Sequence, residues 1–259
     1  MKRTMKYIYA SLCGLIILTC MALSFIMGRE SRQTLKCERL EVRILDSLKN
    51  SFVSRADVKK FLDREYGIYK GLPLDSLDLV KMENIIDNRS AVKKSQAYVT
   101  KDGTLHIDVT QRNPVVRFQK KDGGFYADAN GFIFPLQNTY SSHVQIIDGY
   151  IPLAANSGYK GHISDAKERA WFESIMHLVN YIQDSKIWKE KIVQIHIADN
   201  GDIALIPRIG KELFIFGSPD DIEEKFEKMG KYYTVIIPEK GSNAYRKVDL
   251  RFKGQIVCK

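Results

Sequence analysis

Two stretches of the 259-residue chain, Ser90-Ala91-Val92-Lys93 and Ser164-Asp165-Ala166-Lys167, have the Ser-x-x-Lys spacing. That spacing can set an amine one helical turn from a serine hydroxyl, as in acyl-transfer enzymes of the penicillin-binding type. The rest of that chemistry is missing, because no Lys-Thr-Gly occurs and Ser164 is better placed as the cap of a long helix. The five histidines, His106, His143, His162, His177 and His196, show no His-Glu-x-x-His or other metal-ligating spacing. Of the four cysteines, Cys13 and Cys20 lie in an apolar N-terminal stretch, while Cys37 and Cys258 stand at opposite ends of everything that folds. That is neither a zinc site nor a disulfide framework, although an oxidising compartment would leave a Cys37 to Cys258 bridge open. No Gly-x-Gly-x-x-Gly or P-loop is present. The expectation is therefore a protein with no catalytic residues, no metal, no cofactor and no small-molecule substrate.

The elements that remain must do their work by shape. A 44% hydrophobic content rules out disorder and supports one large or two modest cores. The formal charge of +9 spreads 40 basic residues among 31 acids without a run of five, which argues for a solvated surface rather than a nucleic-acid track.

From Tyr7 to Met27 no residue is charged, and the stretch is long enough to cross a bilayer as a helix. It exceeds the apolar core of a signal peptide and ends without a small-x-small cleavage site, so it reads as a retained span. Lipidation at Cys20 is disfavoured by Thr19 before it and by the apolar residues that follow. Lys2, Arg3 and Lys6 precede the span while Arg29, Arg32, Lys36 and Arg39 follow it, so charge does not orient it. The organisation expected is a short tail at 1–6, a transmembrane helix at 7–27, a linker at 28–37, and two folded domains at 38–113 and 114–259.

In the first domain Leu40, Val42 and Ile44 alternate with polar residues as a strand. Ser54 and Asp57 form a capping box, with Val53 and Val58 as its hydrophobic staple, before a helix whose face is Val58, Phe61, Leu62 and Tyr66 and which Gly67 ends. A second helical pattern runs through Leu79, Met82, Ile85 and Ile86. Strands at Gln96–Lys101 and Leu105–Val109 then flank an Asp102-Gly103 turn, giving the order β-α-α-β-β. The second domain opens on a hairpin, Gly124 to Leu136, followed by a strand at Val144–Gly149. A long helix carries Trp171, Phe172, Ile175, Leu178, Val179 and Ile182 on one face. Strands at Ile192–Ile197, Ile203–Ile206 and Leu213–Phe216 come next, and a helix starts at Ser218-Pro219-Asp220-Asp221 with Ile222, Phe226, Met229 and Tyr233 inward. Val248, Leu250 and Phe252 alternate with Lys247, Asp249 and Arg251 as a last strand, with Gly254 a possible bulge before Ile256–Cys258.

The β-α-α-β-β unit behind an apolar anchor, leading into Gln111-Arg112-Asn113-Pro114-Val115, resembles the POTRA domain of the FtsQ/DivIB family, in which an acidic residue commonly stands at the position of Gln111. The Gly124 to Leu136 hairpin is similar to the start of that family's β domain. Val248-Asp249-Leu250-Arg251-Phe252 closely matches the Val-Asp-Leu-Arg-aromatic sequence of its terminal strand. The resemblance implies an α+β protein with an N-terminal transmembrane helix, a POTRA domain, and a mixed β domain with covering helices. It also implies a single-pass type II protein of the inner membrane, its bulk extracytoplasmic, that acts at the division septum. There it would bind FtsB- and FtsL-like coiled-coil subunits, meet other division proteins through the POTRA domain, and help control septal peptidoglycan synthesis. The partner-binding residues expected are Lys247, Val248, Asp249, Leu250, Arg251, Phe252, Gly254, Gln255, Ile256 and Val257. An edge strand captures partners through its backbone, whereas charges such as Lys247, Arg251 and Lys253 can equally protect an edge; the resemblance tips that balance toward capture. The alternative is a POTRA-bearing envelope transport or outer-membrane assembly factor.

Overall fold

The computed structural model describes residues 13–24, 35–121, 123–242 and 244–259. Residues 13–24 are helical with exposed apolar side chains such as Leu15, Leu18 and Met21, and the rest of the span expected at Tyr7–Met27 lies outside the described residues. No helix among the described residues is long and apolar enough to cross a membrane. The four cysteines are free thiols, and burial raises the pKa of both Cys37 and Cys258. The chain divides into two compact units: the residues up to Ser47 with Val53–Gln111, and Leu48–Phe52 with Arg112–Lys259.

The first unit runs β1 (Arg39–Ile44), α1 (Arg55–Glu65), a 3-10 turn (Leu74–Ser76), α2 (Leu79–Asp87), β2 (Val92–Val99) and β3 (Thr104–Gln111). Its sheet has the order β1-β3-β2, with β1 parallel and β2 antiparallel to β3. The capping box forms as the sequence predicts: Ser54 accepts from the Asp57 amide and Asp57 from the Ser54 amide. The Ser54 hydroxyl, which donates to the Asp57 carboxylate at 2.6 Å, and then the Ser54 amide hold that carboxyl below the usual carboxylate range. Gly67 takes the left-handed conformation, φ +94°, that ends α1. Val58, Leu62, Met82 and Ile86 close over Leu105, Ile107 and Val109, all fully buried. Phe61 is only partly covered and lies beneath the Arg89 guanidinium, 4.2 Å from the ring centre.

Two local features depart from expectation. β2 starts at Val92 rather than Gln96 because a bulge between Val92 and Lys94 breaks the period-two alternation over its first half. Gln111 is buried. Its Oε1 accepts from the Val53 amide at 2.8 Å, while its Nε2 donates to Asp46 at 3.2 Å. A carboxylate in that place could serve the first contact but would repel Asp46, so the amide fits this site.

The second unit is one nine-stranded sheet of order β12-β11-β10-β9-β8-β7-β4-β5-β6. Its strands are β4 (Pro114–Lys120), β5 (Gly123–Asp128), β6 (Ile133–Pro135), β7 (Gln145–Gly149), β8 (Ile192–Ile197), β9 (Ile203–Pro207), β10 (Leu213–Gly217), β11 (Lys247–Asp249) and β12 (Val257–Cys258). The helices are α3 (Ala166–Asp184), α4 (Trp188–Lys191), α5 (Ile222–Lys231) and α6 (Ile237–Lys240), with a π turn at Tyr232–Ile236. From α3, Phe172, Ile175, Leu178, Val179 and Ile182 share one core with Phe118, Phe125, Ile147 and Ile195 of the sheet. Strand β4 was not expected as a separate element, although Val116 and Phe118 are buried and alternate with Val115, Arg117 and Gln119. It pairs with β5 on one side and β7 on the other.

Both helix starts in this unit are shifted from their expected caps. α3 is capped by Asp165, whose Oδ1 accepts from the Lys167 and Glu168 amides at 2.9 Å each, while the Ser164 carbonyl is taken by Arg169. A carboxylate complements the positive end of the helix better than a hydroxyl does. α5 begins one residue after Asp221, which turns the chain in the left-handed region at φ 49°, so neither Ser218 nor Pro219 serves at its first turn.

Candidate functional site

The last strands are placed by α5. A chain leaving β10 must cross over before it can return parallel, and α5 with its π extension is that crossover. On return, Lys247, Val248 and Asp249 sit opposite Leu213, Phe214 and Ile215. Val248 and Leu250 point into the core, and the Leu250 amide donates the final ladder bond to the Ile215 carbonyl at 2.9 Å.

The strand stops there, three residues short of the expected Phe252. The Asp249 carboxylate takes the Arg251 amide at 3.2 Å, which turns the chain out of the ladder. The Arg251 guanidinium folds back on the same carboxylate at 2.7 and 2.9 Å and reaches Asp202 at 2.9 Å. Arg251 thereby holds Asp249 below the usual carboxylate range, and its own pKa is raised by the bond to Asp249. Its aliphatic stem lies over Gly217, at φ +75°, where an added Cβ would come 2.7 Å from the Arg251 Cγ. Phe252, expected at the partner contact although its alternation with Val248 and Leu250 could equally have turned it into the core, is 49% exposed because the turn precedes it.

Gly254, at φ +67°, belongs to this turn rather than to a bulge in the strand, and its amide donates to Glu224 at 3.1 Å. Gln255 and Ile256 lead into β12, which pairs antiparallel with β11 through Val248↔Cys258 and Asp249↔Val257. β11 therefore has neighbours on both sides, and Lys247–Asp249 lies one strand inside the edge it was expected to form. The outermost strand is β12 itself. Lys247 and Lys259 exchange both backbone bonds, at 3.0 and 2.9 Å, so by antiparallel alternation the amide and carbonyl of Cys258 point away from β11. The structure brings Arg251 and Phe252 to one turn beside that edge, with Val257 in the edge strand, and leaves Lys247, Val248, Asp249 and Leu250 as its support.

Sequence reading missed Asp202, Gly217, Glu224 and Lys228, which hold the turn. Asp202 and Gly217 carry no sequence signal. Lys225 does, since it stands three residues after Ile222 and four before Met229 on the core face of its helix, whereas the burial of Lys228 emerges only from the structure. Among the described residues no group of three or more His, Cys, Asp or Glu side chains is placed to hold a metal ion.

Comparison with known families follows the same division. Residues 113–259 match the family model described as FtsQ/DivIB, C-terminal related, and residues 35–110 match the POTRA-like domain model. No curated protein matches the chain.

Proposed function

Because the chain belongs to the FtsQ/DivIB family, we propose that it is a non-enzymatic scaffold of the division machinery, anchored in the inner membrane by Tyr7–Met27 with its folded units on the extracytoplasmic side. It captures FtsB- and FtsL-like subunits at the septum, and other division proteins meet its POTRA-like unit. The observation that carries this reading is the outermost strand of the large sheet, where Cys258 turns its amide and carbonyl outward beside the half-exposed Phe252. An extended partner segment can add there as a tenth strand, with backbone bonds supplying affinity and the flanking side chains supplying choice. Phe252, Gln255, Ile256 and Val257 would touch the partner directly.

The test is Cys258→Pro, which removes an outward donor without removing a bond inside the sheet. Capture of the FtsB-like subunit of the same cell, measured by co-purification, is expected to fall at least tenfold while the thermal midpoint stays within a few degrees. Wild-type capture and wild-type septal recruitment in this variant would place the partner elsewhere.

A further inference from the structure

We infer that Glu224 and Lys228 of α5 are positioning residues for the terminal edge: they fix the backbone of the 250–254 turn so that β12 returns in the register that exposes Cys258. The inference rests on the reading of that edge as the partner site. Lys228 is 6% exposed, and a buried ammonium is tolerated only when its three donors are satisfied. Its Nζ donates to the carbonyls of Leu250 at 3.1 Å and Phe252 at 2.7 Å, and pairs with Glu224 at 3.0 Å. The same Glu224 oxygen accepts from the Gly254 amide at 3.1 Å. All of these contacts with the turn are to main chain, so they specify its path rather than the side chains it carries.

A methionine at 228 would pack the helix equally well, and the charge has no use in the core except to hold those carbonyls. β12 needs such help. Its pairing with β11 covers only Val257 to Lys259, too short a run to fix the register by itself. From the other side the turn is tied through Arg251 to Asp249 and Asp202. The turn is thus gripped at both flanks, and Phe252 is presented between them with its carbonyl fixed and its ring half exposed.

The experiment compares Lys228→Met and Glu224→Gln with wild type and with Cys258→Pro, in the full-length protein. Amide exchange at Leu250, Gly254 and Lys259 is read alongside affinity for the purified extracytoplasmic segment of the FtsB-like subunit. In Lys228→Met, exchange at those amides is expected to rise more than tenfold and affinity to fall about tenfold. Exchange in β7 and β8 stays unchanged. Glu224→Gln, which keeps an acceptor for Gly254, shows a smaller change in the same direction. Unchanged exchange at the turn in both variants overturns the inference, as does a rise spread evenly over the whole sheet. If Cys258→Pro binds normally, the reading of the edge fails instead. If Cys258→Pro abolishes binding while Lys228→Met opens the turn and binds normally, the positioning role fails and the edge reading stands.

Discussion

The outer edge of β2 in the first unit and the outer edge of β12 in the second present the same hazard, unpaired backbone groups that invite another strand, and they meet it in opposite ways. Along β2, the outward amides of Ser95 and Ala97 are consumed by α2: Asp87 accepts the first at 2.6 Å and Glu83 the second at 2.7 Å. At the end of the large sheet the neighbouring helix also contributes a carboxylate, but Glu224 takes the Gly254 amide in the turn and leaves Cys258 facing outward. A helix beside a sheet can therefore use an acidic side chain to close an edge or to shape one. Where the acid falls relative to the strand decides which.

The largest effect expected from breaking this contrast is at the closed edge. Glu83→Ala with Asp87→Ala strands two amides, one of them on the buried Ser95, at about 1–3 kcal/mol for each amide left without a partner. Urea unfolding followed by hydrogen exchange in the first unit should show a loss of about 3 kcal/mol, and light scattering should show self-association through the uncapped β2. A variant that stays monomeric with its stability intact would mean that the carboxylates are not what closes this edge.

A smaller effect separates the two units at glycines of similar conformation. Gly217→Ala meets both a positive φ and the Arg251 stem 2.7 Å away, whereas at Gly67, φ +94°, an added Cβ has nothing within 4 Å. Gly67→Ala should cost about 1 kcal/mol for the backbone alone. Gly217→Ala should cost about 2 kcal/mol and dislodge Arg251 from Asp202, since off-region backbone strain and a displaced contact add. Equal losses in the two thermal midpoints would show that Arg251 does not depend on the bare glycine beneath it.

Much of this architecture was legible because local signals agree with one another. The Ser54–Asp57 box, the Gly67 stop and the Asp102-Gly103 turn each act over a few residues, so β-α-α-β-β could be read directly. The turn after Asp249 could not. Val248, Leu250 and Phe252 keep strict alternation, and only the three-dimensional proximity of Asp202, Gly217 and α5 shows that the chain leaves the sheet before Phe252. The expected edge was misplaced by one strand for the same reason: pairing partners of β12 lie in space, and a two-residue strand has too little pattern to announce itself. β4 was missed differently, since its period-two pattern is present in Val116 and Phe118 but begins on a proline that reads as a break.

The smallest expected effect is on pH. Asp249 is held below the usual carboxylate range by its bonds from Arg251, and Glu224 is lowered first by the Gly254 amide and then by Lys228. A carboxylate whose folded pKa is depressed adds stability that is fully present above its unfolded value, about 4, and is lost as pH falls through the folded value. Protection of the Gly254 and Lys259 amides should therefore be flat from pH 7 to about 5 and then fall severalfold below about 4. Asp57 in the capping box of α1 is depressed by the same kind of contact, from Ser54, so the start of α1 should lose protection over the same acid range. The two regions differ in what acid leaves behind. In α1 one cap weakens and the helix frays locally. At the terminal turn, protonating Glu224 weakens one of the three contacts of Lys228, which is buried, so the register of β12 loosens with it. Lys228→Met removes the part of that dependence that runs through Lys228 and leaves the Gly254 bond to Glu224, so its turn should lose somewhat less protection between pH 5 and 3 than the wild-type turn does. An identical acid profile in wild type and Lys228→Met would assign the effect to the Glu224–Gly254 bond and the Asp249–Arg251 pair, with no share for Lys228.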